Sequence, residues 1–428
     1  MLGPEDRPGG PFRRAGGVLP FLQYLVLMLS AFTFACKDFG RAPSLVEGLR
    51  YDSLGISIVA VPKAMALAPL PWSMGSSPIL ELGGRGGPGD PTFHDIEGVA
   101  PLPGGGVAVL DGGSRELRFY TRTGELQARL GGHGGGPGEF GRPYLVPQVG
   151  SDSLLIHDAQ HRRLTLFAKD PPGFRQVVTS SRLQARAPLG AAGFRLLLGR
   201  SVMDAAAMQR LGVQAVGLDF VWVDAASESE VLLRDHSVSE VATLSAPRGT
   251  GPPILVEIPF ASRPSGSVSP QGVHLTSGED YEIESFDLRG RLVRITRVEM
   301  QRSPVTDEAK ESMLNVELLR AVHPSDQSVH RRRFNDLLLP DSMPAFAGLI
   351  VDEIGWLWAR TYEWHPDRAV RWIAIDPTGL PRGSVEMPAR LEVRWIGADH
   401  VLGIWRDELG VEQVRKYSLT RTVTGLEG

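Results

Sequence analysis

His157, Asp158 and His161 place two imidazoles and a carboxylate within five residues, a set suited to zinc or a similar ion. The corresponding stretch 47 residues earlier has Leu110, Asp111 and Ser114, so only the aspartate recurs. That is how a side chain bonding the backbone of a turn behaves, and no metal site is assigned. Gly84-x-Gly86-x-x-Gly89 matches the dinucleotide fingerprint letter for letter, but that loop must open a helix whose N-terminus holds a pyrophosphate. Here Asp90, Pro91 and strand-like sequence follow, and a related glycine loop recurs one repeat later, so turn formation accounts for both. The acidic run Glu279-Asp280-Tyr281-Glu282-Ile283-Glu284 alternates as a half-exposed strand does and lacks EF-hand spacing. Trp356, Trp358, Tyr362, Trp364 and Trp372 form either an aromatic platform for a sugar or peptide or the packing between neighbouring sheets. Packing suffices, since each indole needs only one partner for its N–H. With no Gly-x-Ser-x-Gly elbow, no His-Glu-x-x-His and no Gly-Lys-Ser or Gly-Lys-Thr, the sequence assigns no catalytic residue and no cofactor.

The elements that would position such residues are read from repetition. Gly84-Arg85-Gly86-Gly87-Pro88-Gly89-Asp90 and Gly132-His133-Gly134-Gly135-Gly136-Pro137-Gly138-Glu139-Phe140 each open a similar unit. Val107-Ala108-Val109-Leu110-Asp111 follows the first and Leu154-Leu155-Ile156-His157-Asp158 the second. An arginine stands four residues after each aspartate, Arg115 or Arg162, then Leu117 or Leu164, then Tyr120 or Phe167. Short apolar strands separated by glycine-rich or polar turns, repeating at this length, predict four-stranded antiparallel propeller blades, whose ring closure protects the sheet edges.

On those residues the chain resembles the NHL repeat, and more narrowly the bacterial six-bladed β-propeller lipoproteins of NHL-like type. The resemblance extends to Asp352-Glu353-Ile354-Gly355-Trp356-Leu357-Trp358 and Ile375-Asp376-Pro377-Thr378-Gly379 as turns of a fifth blade. It implies an all-β fold, with a third blade in 186–244, a fourth in 252–300 and a sixth from Val393 to Leu419. That last blade lacks a fourth strand, and Ile56-Ser57-Ile58-Val59-Ala60-Val61 is expected to supply it. Between the fourth and fifth blades, at about 304–340, the period breaks. Thr306 is a plausible N-cap for a helix running to Arg320 with Ala309, Met313 and Val316 on one face, an insert that either packs on the propeller or forms a lid.

At the N-terminus, Arg13 and Arg14 precede an apolar run from Val18 to Ala35 in the pattern of a signal peptide. The run ends at Cys36, the one cysteine of the chain, in a stretch that resembles a lipobox. The resemblance implies acylation at Cys36, with more than one acyl chain giving stable anchoring. A plain membrane anchor with a free cysteine is the alternative. Expected organisation is therefore a signal peptide over 1–35, a lipidated tether over 36–50, a six-bladed propeller over 51–421 and a tail over 422–428, held at a bacterial cell envelope facing the periplasm or exterior. A balance of 45 basic against 49 acidic residues gives a net charge of -4, and no nucleic-acid partner is expected. Two functions remain open: a binding or scaffold module for a protein, peptide or glycan, or a lactonase-like hydrolase or lyase with a divalent ion in the central channel. Three or more converging carboxylate, amide or imidazole side chains at the channel mouth would favour the enzyme; apolar and arginine side chains would favour binding.

Overall fold

The repeated aspartates act through the backbone. In the computed structural model, which describes residues 49–84, 91–183, 188–202, 212–244, 254–319, 327–365 and 367–422, Asp111, Asp158 and Asp224 each end the second or third strand of a sheet. Asp111 accepts the His94 N–H at 2.7 Å and the Ser114 hydroxyl at 2.6 Å. Asp158 accepts the Gly141 and Arg142 N–H groups, both at 3.0 Å, and Asp224 that of Ala226 at 3.0 Å. Four residues beyond each aspartate, Arg115, Arg162 and Glu228 adopt left-handed φ angles of 57°, 52° and 53°, closing the turn. The arginines of the sequence register thus mark a backbone conformation, which the third repeat fills with glutamate. The signal-like segment, Cys36 and most of the first glycine loop lie outside the described residues.

Six sheets are built from these turns among the described residues, and the fold is all-β and propeller-like. The first sheet runs Ile96–Pro101, Val107–Asp111, Glu116–Tyr120 and Leu126–Gly131, and the second Pro143–Val146, Ser153–Asp158, Arg163–Lys169 and Pro172–Thr179. The third has five strands, Gly190–Ala192, Arg195–Val202, Gly212–Asp224, Ser229–Leu244 and Ile254–Glu257. The fourth begins at Ser265–Ser269 and continues through Gly272–Thr276 and Glu282–Asp287 to Leu292–Glu299. Its predicted boundary was therefore set too early: Ile254–Glu257 pairs back on Val241–Leu244 and belongs to the third sheet. The fifth holds Phe346–Val351, Leu357–Thr361, Val370–Ile375 and Pro381–Met387, and the sixth Leu391–Ile396, His400–Arg406 and Glu412–Arg421.

The first strands of successive sheets are neighbours, and the sixth neighbours the first. They approach closely at Gly98, where a Cβ would stand 2.6 Å from that of Leu145. Apolar faces meet between sheets: Leu110 and Phe119 of the first with Ile156 and Phe167 of the second, and Trp358 and Trp372 of the fifth with Val393 and Val401 of the sixth. The junction of the fourth and fifth is polar by comparison, with the Ser267 hydroxyl accepting the Val351 N–H and Thr296 donating to the Gly379 carbonyl, both at 3.0 Å.

Residues 50–82 form a strap across three sheets in turn. Arg50–Ser53 and Ile56–Pro62 make a hairpin whose second strand lies parallel to Leu292–Glu299, at the outer edge of the fourth sheet. After the short helix α1, Lys63–Ala66, the chain passes the outer strand of the fifth, where the Leu70 N–H donates to Ser384 O at 3.0 Å. Trp72–Met74 and Leu80–Leu82 then pair antiparallel with Glu412–Arg421 and complete the sixth sheet. The expectation for Ile56–Val61 is corrected accordingly. A nearby segment closes the last sheet, because Leu80 and Leu82 alternate around Glu81 and drop into the apolar face of Leu402, Ile404 and Val414, whereas Val59 and Val61 are both wholly buried beside the fourth.

The insert contains two helices, α2 (Asp307–Leu319) and α3 (Gln327–Asn335). The Thr306 hydroxyl accepts the Ala309 N–H at 3.2 Å, as an N-cap does. Its neck is pinched by Val305 N–H to Asp341 O at 2.9 Å and Met343 N–H to Ser303 O at 2.8 Å. Ala309 and Met313 pack with Phe260, Met343, Tyr362 and Trp364, so the insert is seated on the sheets.

Candidate functional site

The residues singled out for metal chemistry are separated by the strand that carries them. The His157 ring is fully buried, lies 6.3 Å from Tyr144 at an interplanar angle of 24°, and has neither nitrogen hydrogen-bonded. Burial pushes its pKa down to about 4, so it is neutral near pH 7. Asp158 points the other way, and His161 Nδ1 stands 2.6 Å from its Oδ2. Burial raises the Asp158 carboxyl, but the N–H groups of Arg142 and Gly141 and the His161 ring outweigh it and hold it below its ordinary value. Among the described residues no three histidine, aspartate or glutamate side chains gather as a metal cluster. In the 279–284 run, Glu282 and Glu284 share one strand and are neutralised by arginines of two others, Glu282 pairing with Arg297 at 2.5 Å and Glu284 with Arg234 at 3.0 Å. The tryptophans divide: Trp356 and Trp358 pack against Trp72 with centroids 4.8 and 5.7 Å away, while Trp364 joins the insert.

A different group converges on the innermost strands. Glu97 projects from Ile96–Pro101, Arg394 and Trp395 from Leu391–Ile396, and Gln148 and Lys169 from the second sheet, around a 40 Å³ cavity otherwise walled by Val99, Leu145 and Leu154. Burial, then the like charges of Asp95 and Glu412, push the Glu97 carboxyl up to about 7 against the opposing pull of Arg142 and Arg394. Lys169 is lowered by burial, and its ammonium donates to Ser151 O at 2.8 Å. Gln148 Oε1, Arg394 Nε and Trp395 Nε1 are buried without a protein partner. Two donors and an acceptor left open around a space of this size suit a water or the tip of a small polar group.

Ion pairs along the sixth sheet run from this cavity back to the first. Arg394 reaches Glu392 at 2.6 Å, Arg406 joins Glu392 at 2.5 Å to Glu412 at 2.8 Å, and Glu412 accepts the Ile96 N–H at 2.7 Å. Beyond Glu392 lies Arg360, lowered by burial, in the wall of a second and larger cleft beside the insert. Sequence reasoning missed Glu97, Arg394 and Arg360, which come from three sheets and form no local motif. The one available signal was a charge within a strand otherwise apolar, as in Ile96-Glu97-Gly98-Val99-Ala100.

No family model matches the sequence, and no curated protein matches it. Among solved structures, a protein described as exported from Bacteroides fragilis is 10% identical, covers 85% of this chain and 99% of its own, and has a TM-score of 0.40. A DUF4221 family member from Bacteroides vulgatus is 9% identical over 82% of this chain and 99% of its own, with a TM-score of 0.47. Virginiamycin B lyase from Staphylococcus aureus gives 9% identity, 76% and 80% coverage and a TM-score of 0.33. Similarity at this level carries no inference about activity.

Proposed function

We propose that the six sheets form one six-bladed propeller of NHL-like type, exported and held at the bacterial envelope by lipid on Cys36, and that it binds a protein, peptide or glycan. The carrying observation is the lining of the inner cavity: one carboxylate, Glu97, and one amide, Gln148, among guanidinium, ammonium, indole, hydroxyl and apolar side chains. Such a wall recognises polar groups by charge and hydrogen bonding and offers too few anionic donors for a divalent ion. Metal analysis of the purified protein tests this reading. Substoichiometric metal and an unfolding temperature unmoved by chelator are expected; one tightly held ion per chain would defeat it. Anchoring is tested separately by labelled palmitate, with Cys36→Ser expected to lose the label and move to the soluble fraction.

A further inference from the structure

The larger cleft lies where the insert meets the fifth sheet and the connection 258–263 that follows the third. Its space is 390 Å³, within the range of small-ligand sites. Phe260 forms one wall, edge-on to Tyr362 at 6.5 Å and 72°, and Met313 of α2 forms another. Beside these apolar walls, Arg360, Arg263 and Tyr362 also line the cleft. The phenol is raised by burial against the pull of both guanidiniums, so the three groups share one field.

Arg360 is the unusual member. It is half-buried, and among the described residues no carboxylate lies within ion-pair distance of it. Glu392 acts on it from further off, with both carboxylate oxygens engaged by Arg394 and Arg406. Arg263 pairs with Glu257 at 2.7 Å, but both side chains are more than half exposed, so that pair is weak and open to exchange. A desolvated guanidinium without a counter-ion, a phenol and an exchangeable second guanidinium are the donors a carboxylate needs. Glu257, Glu317 and Glu363 also line the cleft; they oppose a doubly charged phosphate more strongly than a single carboxylate, and can accept the N–H donors of a peptide.

We propose that this cleft binds the C-terminal carboxylate of a peptide ending in a large apolar side chain, with Arg360 and Tyr362 on the carboxylate and Phe260 and Met313 on the side chain. The inference deepens the binding function above and rests on it. Titration of the purified protein with N-acetyl-alanyl-phenylalanine, its C-terminal amide and inorganic phosphate is the test, followed by calorimetry and by tryptophan emission, since Trp364 packs beside Tyr362. The acid is expected to bind at least about tenfold more tightly than the amide, with phosphate failing to compete. Arg360→Gln should abolish the acid-over-amide preference. Arg263→Gln, at an exposed position that folding tolerates, should reduce it about threefold, and Arg371→Gln, in an exposed pair with Glu386, should leave it intact. Equal binding of acid and amide, effective competition by phosphate, or an Arg360→Gln protein that keeps the preference would overturn the proposal. Failure here with a metal-free protein leaves the wider binding function standing, whereas a tightly held metal ion removes that function whatever the peptides do.

Discussion

Glu97 and His157 are held toward their neutral forms by the same cause, burial, and they answer pH in opposite directions. The Glu97 pKa rises from 4.5 to about 7 on folding, so its favourable contribution is full below pH 4.5 and is lost as pH rises through 7. Glu97→Gln should therefore gain on the parent between pH 5 and 8, reaching about 1 kcal/mol once solvent screening is allowed for. Urea midpoints across that range measure it, and parallel curves for the two proteins would refute the burial of this charge. For His157 the folded pKa falls from 6.5 to about 4, so its contribution is present above pH 6.5 and is lost toward pH 4. His157→Phe keeps a ring against Tyr144 and removes the titration, so it should gain about 2 kcal/mol on the parent between pH 7 and pH 5. At this scale the sequence was legible only in part. The members of the histidine–aspartate cluster are neighbours in the chain, yet alternation along a strand sends His157 and Asp158 to opposite faces. Glu97, Arg394 and Arg360 meet only after folding.

Turns were the most readable element, because an aspartate bonding nearby N–H groups acts over a few residues and recurs wherever the turn does. Asp158 is fully buried and accepts N–H groups from Gly141, Arg142 and Gln160, tying the start of one strand to the end of another. Asp158→Ala leaves those donors without their acceptor and should cost about 3 kcal/mol. Asp224, about one-fifth exposed, holds a similar turn that water can reach, and Asp224→Ala should cost about 1 kcal/mol. Chemical denaturation of the two variants compares them, and equal losses would mean that burial does not set the value of these turns. The helix of the insert was equally legible from Thr306 and its apolar spacing. The boundary between the third and fourth sheets was not, since Ile254-Leu255-Val256-Glu257 reads as well for the first strand of one sheet as for the last of another.

For the molecule as a whole, the decisive choice is which part of the strap completes which sheet. Ile56–Val61 and Leu80–Leu82 are both short, apolar and strand-like, and local pattern cannot tell them apart; partner edges decide. The first lies along the fourth sheet, beside its polar junction with the fifth, and the second along the sixth. Arg421 reinforces the second attachment: it donates to the buried Asp352 at 2.8 Å and lies over the Trp72 ring at 5.0 Å, joining the last strand to the strap and to the fifth sheet. Two truncations separate the attachments. A chain beginning at Lys63 loses the hairpin, and its amide exchange should quicken in Leu292–Glu299 while Glu412–Arg421 stays protected. A chain beginning at Gly83 also loses Leu80 and Leu82, each worth about 2 kcal/mol of apolar burial. Its last strand should exchange freely, and cooperative unfolding should be lost as the sixth sheet is left with an open edge. Deprotection of Glu412–Arg421 by the shorter truncation alone would return closure to Ile56–Val61 and overturn the pairing described here.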